Sequence, residues 1–307
     1  MLKKIIAIIL AVAFVSMLFA CSDTAEVGDG KFTVVASLFP QYDFARTIAG
    51  DRADVTLLLP PGTESHSFDP TPSDMVTLNK ADLFLYTGAA MEPWAAGVIA
   101  GATDSGLVAV DCSEGITLID DEHEDEDEEN GHEEDAHIWL NLLNAVRMVD
   151  HILTSFCEKD PDGADYYAER AGKLKEDLNA LDSEILSAVD NAERKTIVFG
   201  GKFSYIYFLE RYGLDYVTAY ESCAANDEPS VGKIADVISF IKANNIPVIY
   251  YEELSDPKIA RAIADETGCE MKLFATAHNV TRDEFESGVT YLDIMRGNLE
   301  NLKAGLN

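Results

Sequence analysis

The chain has 307 residues, and its 55 acidic against 23 basic side chains leave a formal net charge of −32. Binding to phosphate groups needs clustered basic residues, so this charge excludes a nucleic acid as a partner. It favours a protein that must stay in solution or one that attracts cations.

The start of the chain has the parts of a secretory signal. Two lysines are followed by an apolar run that ends at Ala20, directly before Cys21, and this run is too short for a comfortable transmembrane span. Its last residues, Leu-Phe-Ala-Cys, resemble the bacterial lipobox, in which the signal is cleaved before the cysteine and the cysteine receives lipid. The alternative is an ordinary signal that happens to precede a cysteine. We predict a signal peptide over 1–20, lipid on Cys21 and a polar tether over 21–30, hence an extracytoplasmic protein held to the bacterial membrane by lipid only.

Short apolar runs alternate with helical patterns in both halves of the chain. Eight runs are predicted strands: Phe32–Leu38, Val55–Leu59, Asp82–Tyr86, Leu107–Val110, Thr196–Phe199, Asp215–Ala219, Val248–Tyr251 and Met271–Phe274. Strands separated by helices indicate parallel sheets covered on both faces. Two such sheets facing each other would form a cleft between the loops that follow the strands. Neither a GxGxxG motif nor a Walker loop occurs, so nucleotide binding is not supported.

Apolar residues spaced by three and four mark three long helices. They run from Leu142 to Phe156, from Tyr167 to Val189 and, as the last helix, from Phe285 to Leu306. The middle one follows a Pro-Asp-Gly breaker and spans roughly seven turns at 3.6 residues each. It would be a stiff connector.

We therefore predict an α/β fold with two lobes. The first lobe covers 31–163 and the second 192–307, each with a parallel sheet covered by helices. One long rigid helix over 164–191 joins them, and the ligand would lie in the cleft between the lobes.

Cysteine and histidine are scarce. Beyond the lipobox, the four cysteines lack CxxC spacing, so we predict buried thiols or one disulfide bridge rather than a thiolate zinc site. Among the six histidines, His66 lies in a loop rich in proline and glycine, and His137 lies at the mouth of a helix. Each of these two, taken alone, could be a surface histidine. His151 falls in mid-helix, and we assign it to structure.

The segment 120–135 is almost wholly anionic and contains His123 and His132. So dense a charge cannot pack into a core, so we predict a loop. It could serve solubility alone. Imidazole is a preferred zinc donor, which favours instead a weak trap that concentrates divalent cations.

Several motifs together resemble the zinc- and manganese-binding receptors of bacterial ABC importers, a cluster called TroA-like or ZnuA-like. The family pattern Pro-Gly-x-x-x-His-x-(Phe/Tyr)-x-Pro-x-Pro-x-Asp is matched from Pro61 through His66 to Asp74. The segment 135–140, Asp-Ala-His-Ile-Trp-Leu, resembles the family's second-ligand segment. Further matches, in order along the chain, are Tyr212-Gly213-Leu214, Glu228-Pro229-Ser230, Ile246–Glu252 and Gly288–Leu292.

The resemblance implies a receptor without catalysis that holds a divalent metal between two lobes and delivers it to the membrane subunits of an ABC importer. It implies that His66 and His137 are metal ligands. It also implies that an acidic, histidine-bearing loop goes with zinc rather than manganese as the transported ion. We expect a monomer.

Two positions depart from the family pattern. Lys202 stands where the family has its third ligand, and a protonated lysine has no lone pair for a metal. The family's last ligand, an aspartate after the strand that starts near Met271, is absent, but His278 lies close by. We therefore predict His278 as the third ligand, contributed by the second lobe so that the lobes close on the metal. Glu252 is a possible carboxylate ligand, and Glu221 and Glu228 are further candidates.

Other functions compete with this interpretation. A manganese receptor of the same family and a surface adhesin with the same fold remain open. A secreted zinc hydrolase is less favoured, because no HExxH or related motif occurs. An iron-chelate receptor would be expected to use a basic or aromatic pocket instead.

The lipobox gives a direct test. We expect the protein extracted from membranes to begin at Cys21 and to exceed the mass of that polypeptide by a diacyl or triacyl group. Intact mass spectrometry measures this. An unmodified N-terminus or cleavage at another residue would contradict the prediction.

Overall fold

The computed structural model describes residues 31–102, 106–120, 134–220 and 229–307. The predicted signal peptide, Cys21, the tether, His123, His132, Glu221 and Glu228 lie outside these residues. Residues Phe32–Asn307 form one unit. None of the described helices combines the length and the apolar character that a membrane crossing requires.

Two four-stranded parallel sheets form the framework. The first contains β1 (Phe32–Ala36), β2 (Ala53–Leu57), β3 (Leu83–Tyr86) and β4 (Val108–Asp111), in the order β2-β1-β3-β4. The second contains β7 (Thr196–Phe199), β8 (Asp215–Thr218), β9 (Val248–Tyr251) and β10 (Glu270–Leu273), in the order β10-β9-β7-β8. All eight predicted strands are therefore present, with ends that shift by at most two residues.

A short antiparallel ladder was not predicted. Strands β5 (Ile119–Asp120) and β6 (Glu134–Asp135) pair Ile119 with Asp135 and Asp120 with Glu134. These strands are the two ends of the acidic segment, so the ladder fixes where that segment leaves the lobe and where it returns.

Ten described helices pack on and between the sheets. They are α1 (Phe39–Ala49), α2 (Pro72–Leu78), α3 (Ala95–Gly101), α4 (Leu142–Lys159), α5 (Ala164–Asp190), α6 (Ile206–Tyr212), α7 (Val231–Asn244), α8 (Lys258–Thr267), α9 (Arg282–Ser287) and α10 (Tyr291–Leu306). We keep the predicted division into a first lobe, a connecting helix and a second lobe as labels.

The connecting helix is α5, as the sequence predicted. It has 27 residues, about 40 Å at 1.5 Å per residue. Its periodic apolar residues, from Tyr167 to Val189, are buried. They contact α1 and α4 of the first lobe and α6 and α10 of the second. One continuous hydrophobic cluster therefore extends through both lobes.

The C-terminal helix differs from the prediction of one helix from Phe285 to Leu306. The structure has two helices, because Gly288 adopts a left-handed backbone with φ of +78° and ends α9. Thr290 then begins α10 with a capping box, in which its side chain and that of Asp293 bond to each other's backbone N–H. The spacing of the apolar residues continues across this helix end and therefore does not reveal it. The glycine at 288 and the capping threonine at 290 are the sequence signals that indicate it.

The cysteines give no bridge among the described residues. Cys112, Cys157 and Cys269 are free thiols, while Cys223 lies outside the described residues. Burial raises the pKa of Cys112 well above its usual value. This thiol therefore stays protonated and packs as a small apolar side chain.

One polar contact ties the connecting helix to the second lobe. The carboxylate of Asp182, 4% exposed, accepts hydrogen bonds from Arg211 Nε at 2.9 Å, from the Arg211 terminal nitrogen at 2.5 Å and from the Tyr212 hydroxyl at 3.0 Å. Because all three donors lie on α6, Asp182 fixes that helix against α5.

We expect Asp182→Ala to lower the free energy of unfolding by about 2–3 kcal/mol, because it leaves a guanidinium and a hydroxyl without their acceptor. Urea unfolding measures this. The matched control is Asp177→Ala on the same helix, whose carboxylate lies 3.5 Å from Lys173 at the surface, and it should cost less than about 0.5 kcal/mol. Equal losses in the two variants would contradict the assignment.

Candidate metal centre

Three histidines that are far apart in the sequence meet at one place. One donor nitrogen from each of His66, His137 and His278 lies within 4.8 Å of the other two. The ring centroids are 4.5 Å apart for His137 and His278, 5.1 Å for His66 and His278, and 5.4 Å for His66 and His137. Nitrogens bound tetrahedrally to zinc at 2.0–2.1 Å would lie about 3.3 Å apart. The arrangement therefore needs only a small contraction to hold such an ion.

His66 lies on the loop that follows β2. The Glu64 carboxylate holds this loop, since Oε1 accepts the His66 N–H at 2.8 Å and Oε2 accepts the Ser67 N–H at 3.0 Å. Partial burial acts to raise the pKa of Glu64, but these hydrogen bonds outweigh it and lower the pKa below its usual value. His66 is exposed, whereas His137 is buried and His278 partly buried. The site is thus open on the His66 side.

His137 lies between β6 and the single helical turn over 138–140. Its Nδ1 is 2.9 Å from Oδ1 of Asp135, and the same oxygen accepts the His137 backbone N–H at 2.7 Å. The carboxylate has no proton to give, so it assigns the ring proton to Nδ1 and leaves the lone pair on Nε2. A metal ion needs that tautomer, and such carboxylate–histidine pairs orient metal-binding imidazoles.

His278 is oriented by a second chain of hydrogen bonds. The Thr276 hydroxyl donates a hydrogen bond to Glu253 Oε1 at 2.6 Å and makes a short hydrogen bond with Nδ1 of His278. Glu253 Oε2 accepts the Thr276 N–H at 2.7 Å. With Glu253 ionised, the hydroxyl proton points to Glu253, so His278 donates from Nδ1 and its lone pair is on Nε2.

The environment keeps His278 neutral. Its Nε2 is buried and has no hydrogen-bond partner among the described residues. Burial, followed by the neighbouring His137 and His66, holds the pKa of His278 well below its usual value. A neutral imidazole with an unpartnered nitrogen can bind a metal without first losing a proton.

The segment His278–Val280 is bonded to the first lobe, and we call it the clasp. The Phe39 N–H donates to His278 O at 3.1 Å, and the Gly62 N–H donates to Val280 O at 2.8 Å. Between them, the side-chain amide of Asn279 donates to two carbonyls of the His66 loop, Pro60 O at 2.8 Å and Thr63 O at 2.9 Å.

The clasp changes one expectation from the sequence. His278 belongs to the second lobe in chain order, as predicted. Its backbone, however, is held by the same loops that carry His66. Donors from the two lobes are therefore connected through hydrogen bonds as well as through any metal they share.

Two buried aromatic side chains hold the segment that carries His278. Trp139 Nε1 donates to Thr276 O at 2.7 Å, and the Tyr291 hydroxyl donates to Trp139 O at 2.5 Å. Ala277, between Thr276 and His278, has φ of +60°, a conformation that costs about 1 kcal/mol or more for a residue with a side chain. The hydrogen bonds on both sides hold that backbone, and it turns His278 toward the other two rings.

The remaining predicted residues have different positions. A cavity lies beside His66 and His278. Glu252 lines this cavity but is not in the group of three donors. Its Oε1 accepts the Ser255 hydroxyl at 2.7 Å, and its buried Oε2 lies against Gly201, where a Cβ would be 1.6 Å away. Lys202 lines the same cavity. His151 is bonded through Nε2 to Glu114 O at 2.9 Å, which is consistent with a structural role.

A local sequence pattern marks three of the residues that hold the histidines in place. Each of the three histidines follows a polar residue by two positions, namely Glu64, Asp135 and Thr276. All three of these residues bond to their histidine, at the backbone of His66, at backbone and ring of His137, and at backbone and ring of His278. Asp135, Thr276, Glu253 and Asn279 were not among the functional residues predicted from the sequence.

The family model and the two relatives that follow are described as zinc-uptake or zinc-binding proteins. A family model described as ZnuA, zinc-uptake complex component A periplasmic, matches residues 34–305. The chain is 31% identical over 317 residues to the high-affinity zinc uptake system protein ZnuA of Bacillus subtilis (strain 168), covering 100% of this chain and 99% of that protein. It is 28% identical over 306 residues to the zinc-binding lipoprotein AdcA of Streptococcus pneumoniae serotype 4, covering 98% of this chain but only 60% of AdcA.

A solved structure shares the fold. The crystal structure of the Zn(II)-bound ZnuA-like domain of Streptococcus pneumoniae AdcA superposes with a TM-score of 0.77 at 26% identity. The match covers 90% of this chain and 99% of that domain.

The clasp can be tested by an isosteric change. We expect Asn279→Asp to lower the free energy of unfolding by about 2–4 kcal/mol, because two partly buried carbonyls lose their donor and face a carboxyl group instead. Urea unfolding measures the loss, and faster hydrogen exchange at the Gly62 amide would locate it. The control is Asn244→Asp, whose exposed amide donates to Phe240 O at 2.9 Å, with an expected cost under about 1 kcal/mol. Unchanged exchange at Gly62 would show that Asn279 does not hold the loop.

Proposed function

The chain belongs to the ZnuA family of zinc-uptake components, and on that premise we propose that it captures zinc outside the cytoplasm and delivers it to an ABC importer. The observation that carries the proposal is the set of three imidazoles whose donor nitrogens lie within 4.8 Å of one another. Four-coordinate zinc takes histidine nitrogens as preferred ligands. We propose His66, His137 and His278 as the ligands from this chain.

The donor chemistry favours zinc over manganese. Manganese suits carboxylate, carbonyl and water oxygens in an octahedral arrangement, whereas imidazole suits zinc. Among the described residues the group of donors contains three histidines and no carboxylate. The carboxylates of Asp135 and Glu253 are instead bonded to His137 and Thr276, where they orient the ligands.

A binding role without catalysis fits the same geometry. The family is one of solute-binding receptors. A zinc hydrolase needs a general base beside the open coordination position, and Glu253 accepts two hydrogen bonds from Thr276 in its present position. We therefore propose that the carboxylates of Asp135 and Glu253 serve zinc affinity and ligand orientation.

We propose that the acidic segment assists capture. The ladder of β5 and β6 holds both ends of the segment, and β6 ends two residues before His137. Cations attracted by its charge, and by His123 and His132, would thus be concentrated beside the site. The weak donors of such a segment would pass zinc to the fixed geometry of the three histidines.

The location follows from the same reasoning. The family works outside the cytoplasm, and one relative is a lipoprotein. We propose that lipid on Cys21 holds a monomeric receptor at the membrane, next to the importer subunits that receive the metal.

Replacement of each histidine tests the proposal. We expect His66→Ala, His137→Ala and His278→Ala each to weaken zinc binding by about 100-fold or more, since each removes one of three protein ligands. Competition titration against a zinc chelator, with elemental analysis of protein purified without added metal, measures this. His151→Ala is the matched control and should leave zinc affinity unchanged. Full affinity in His278→Ala would show that the third ligand is another residue.

A further inference from the structure

One tyrosine of the second lobe reaches the strands beside His137. Tyr207 lies on α6 and is 2% exposed. Its hydroxyl accepts the Ile119 N–H at 3.0 Å and donates to Asp135 O at 2.9 Å. Ile119 and Asp135 are paired across the ladder of β5 and β6. The hydroxyl therefore connects both strands of the ladder to the second lobe.

Asp135 links this contact to the candidate metal centre. Its carbonyl oxygen is bonded to Tyr207, while Oδ1 of its side chain accepts the backbone N–H of His137 at 2.7 Å and lies 2.9 Å from Nδ1 of the ring. Asp135 is buried, and a close-packed interior transmits a displacement instead of absorbing it. A shift of the Asp135 backbone would therefore move its carboxylate and, with it, the His137 ring.

The Tyr207 side chain is itself held in place from the second lobe. Its ring belongs to the hydrophobic cluster that extends through both lobes. The helix that carries it, α6, is fixed to the connecting helix by the bonds of Arg211 and Tyr212 to Asp182. A donor in a fixed position can orient the group that it contacts, because little of its own freedom is lost in doing so.

The hydroxyl keeps its proton at physiological pH. Burial, as the largest cause, raises the pKa of Tyr207 above its usual value. The proton is therefore available for the Asp135 carbonyl. Without the hydroxyl, a backbone N–H and a backbone carbonyl in this buried corner would both lose a partner, which favours a rearrangement of the ladder.

We propose that Tyr207 is a positioning residue for zinc capture that acts through Asp135 on His137. Its hydroxyl fixes Asp135, and Asp135 aims Nε2 of the His137 ring at the metal. The second lobe then contributes His278 as a ligand and also sets the orientation of a ligand of the first lobe. Zinc affinity thus depends on the contact between the lobes at α6. This inference rests on the proposed function, because it concerns one ligand of that site.

Removal of the hydroxyl alone tests this role. Tyr207→Phe keeps the buried ring, and we expect it to weaken zinc binding by about 10-fold, the lower end of the loss that follows when a residue orienting a metal-binding histidine is replaced. Competition titration against a zinc chelator measures this. The matched control is Tyr212→Phe on the same helix, whose hydroxyl donates to Asp182 at 3.0 Å. It should keep zinc affinity within about twofold.

A double-mutant cycle tests whether Tyr207 acts through Asp135. Asp135→Ala should by itself weaken zinc binding by about 10–100-fold. Added to that variant, Tyr207→Phe should change the affinity by less than about twofold, because the residue through which it acts is already absent. A general loosening of the fold would instead weaken binding by the same factor in both backgrounds.

Nitrogen NMR of the histidine rings in the zinc-free protein gives a readout that a loss of stability alone does not move. We expect Tyr207→Phe to shift the ring nitrogens of His137 toward the values of a mixture of tautomers, because Asp135 no longer holds one of them. The ring nitrogens of His151, which is bonded to Glu114 O, should stay unchanged.

The outcomes separate the two proposals. If zinc does not bind at a site that depends on His66, the proposed function is wrong. If zinc binds there and Tyr207→Phe has the affinity of Tyr212→Phe, Tyr207 does not position the site and the receptor proposal stands. A full additional loss in the Asp135→Ala background, or unchanged His137 nitrogens, would equally overturn the positioning role.

Discussion

The candidate metal centre depends on bringing together three nitrogens from positions 66, 137 and 278, and the clasp makes this possible. Asn279 spans 219 residues of sequence to bond Pro60 O and 216 to bond Thr63 O. Two backbone bonds beside it, to Phe39 and Gly62, complete the connection. A backbone carbonyl buried without a donor costs free energy comparable to a lost hydrogen bond. The loops of the first lobe and the clasp therefore stabilise each other, and the positions of the three histidines follow from that pairing.

The core imposes the same constraint from the opposite side. The connecting helix packs on helices of both lobes, and Phe44 of the first lobe meets Tyr291 of the second with ring centroids 5.0 Å apart. A close-packed interior transmits displacement instead of absorbing it. Two lobes that share one core and one clasp cannot separate widely as rigid bodies without loss of buried contacts. Exchange of metal is then expected to involve the exposed His66 side of the site more than a wide opening of the cleft.

Much of this could be predicted from the sequence, because the relevant signals are local. Apolar runs located the eight strands of the two parallel sheets, and the three-four spacing from Tyr167 to Val189 located the connecting helix. The three histidines could be selected because histidine is scarce here and the motifs around two of them resemble a known family. Asn279 could not be found in this way, since its partners are more than 200 residues distant and nothing in its neighbourhood marks them. Thr276 and Asp135 were within reach, because a polar residue two positions before each histidine is a local pattern with a geometric reason. The break at Gly288 was missed because apolar periodicity was given more weight than the glycine and the capping threonine.

The ladder of β5 and β6 also bears on how the protein could change over time. It pairs Asp120 with Glu134 and Ile119 with Asp135, so the chain returns to the same point whatever lies between these strands. The entropy of closing a segment grows only with the logarithm of its length, and doubling the length costs about 0.6 kcal/mol. Insertions and deletions between the strands should therefore be nearly neutral for stability and leave His137 in place. Changes in the number of acidic and imidazole groups in that segment would then leave the three histidines of the candidate metal centre undisturbed.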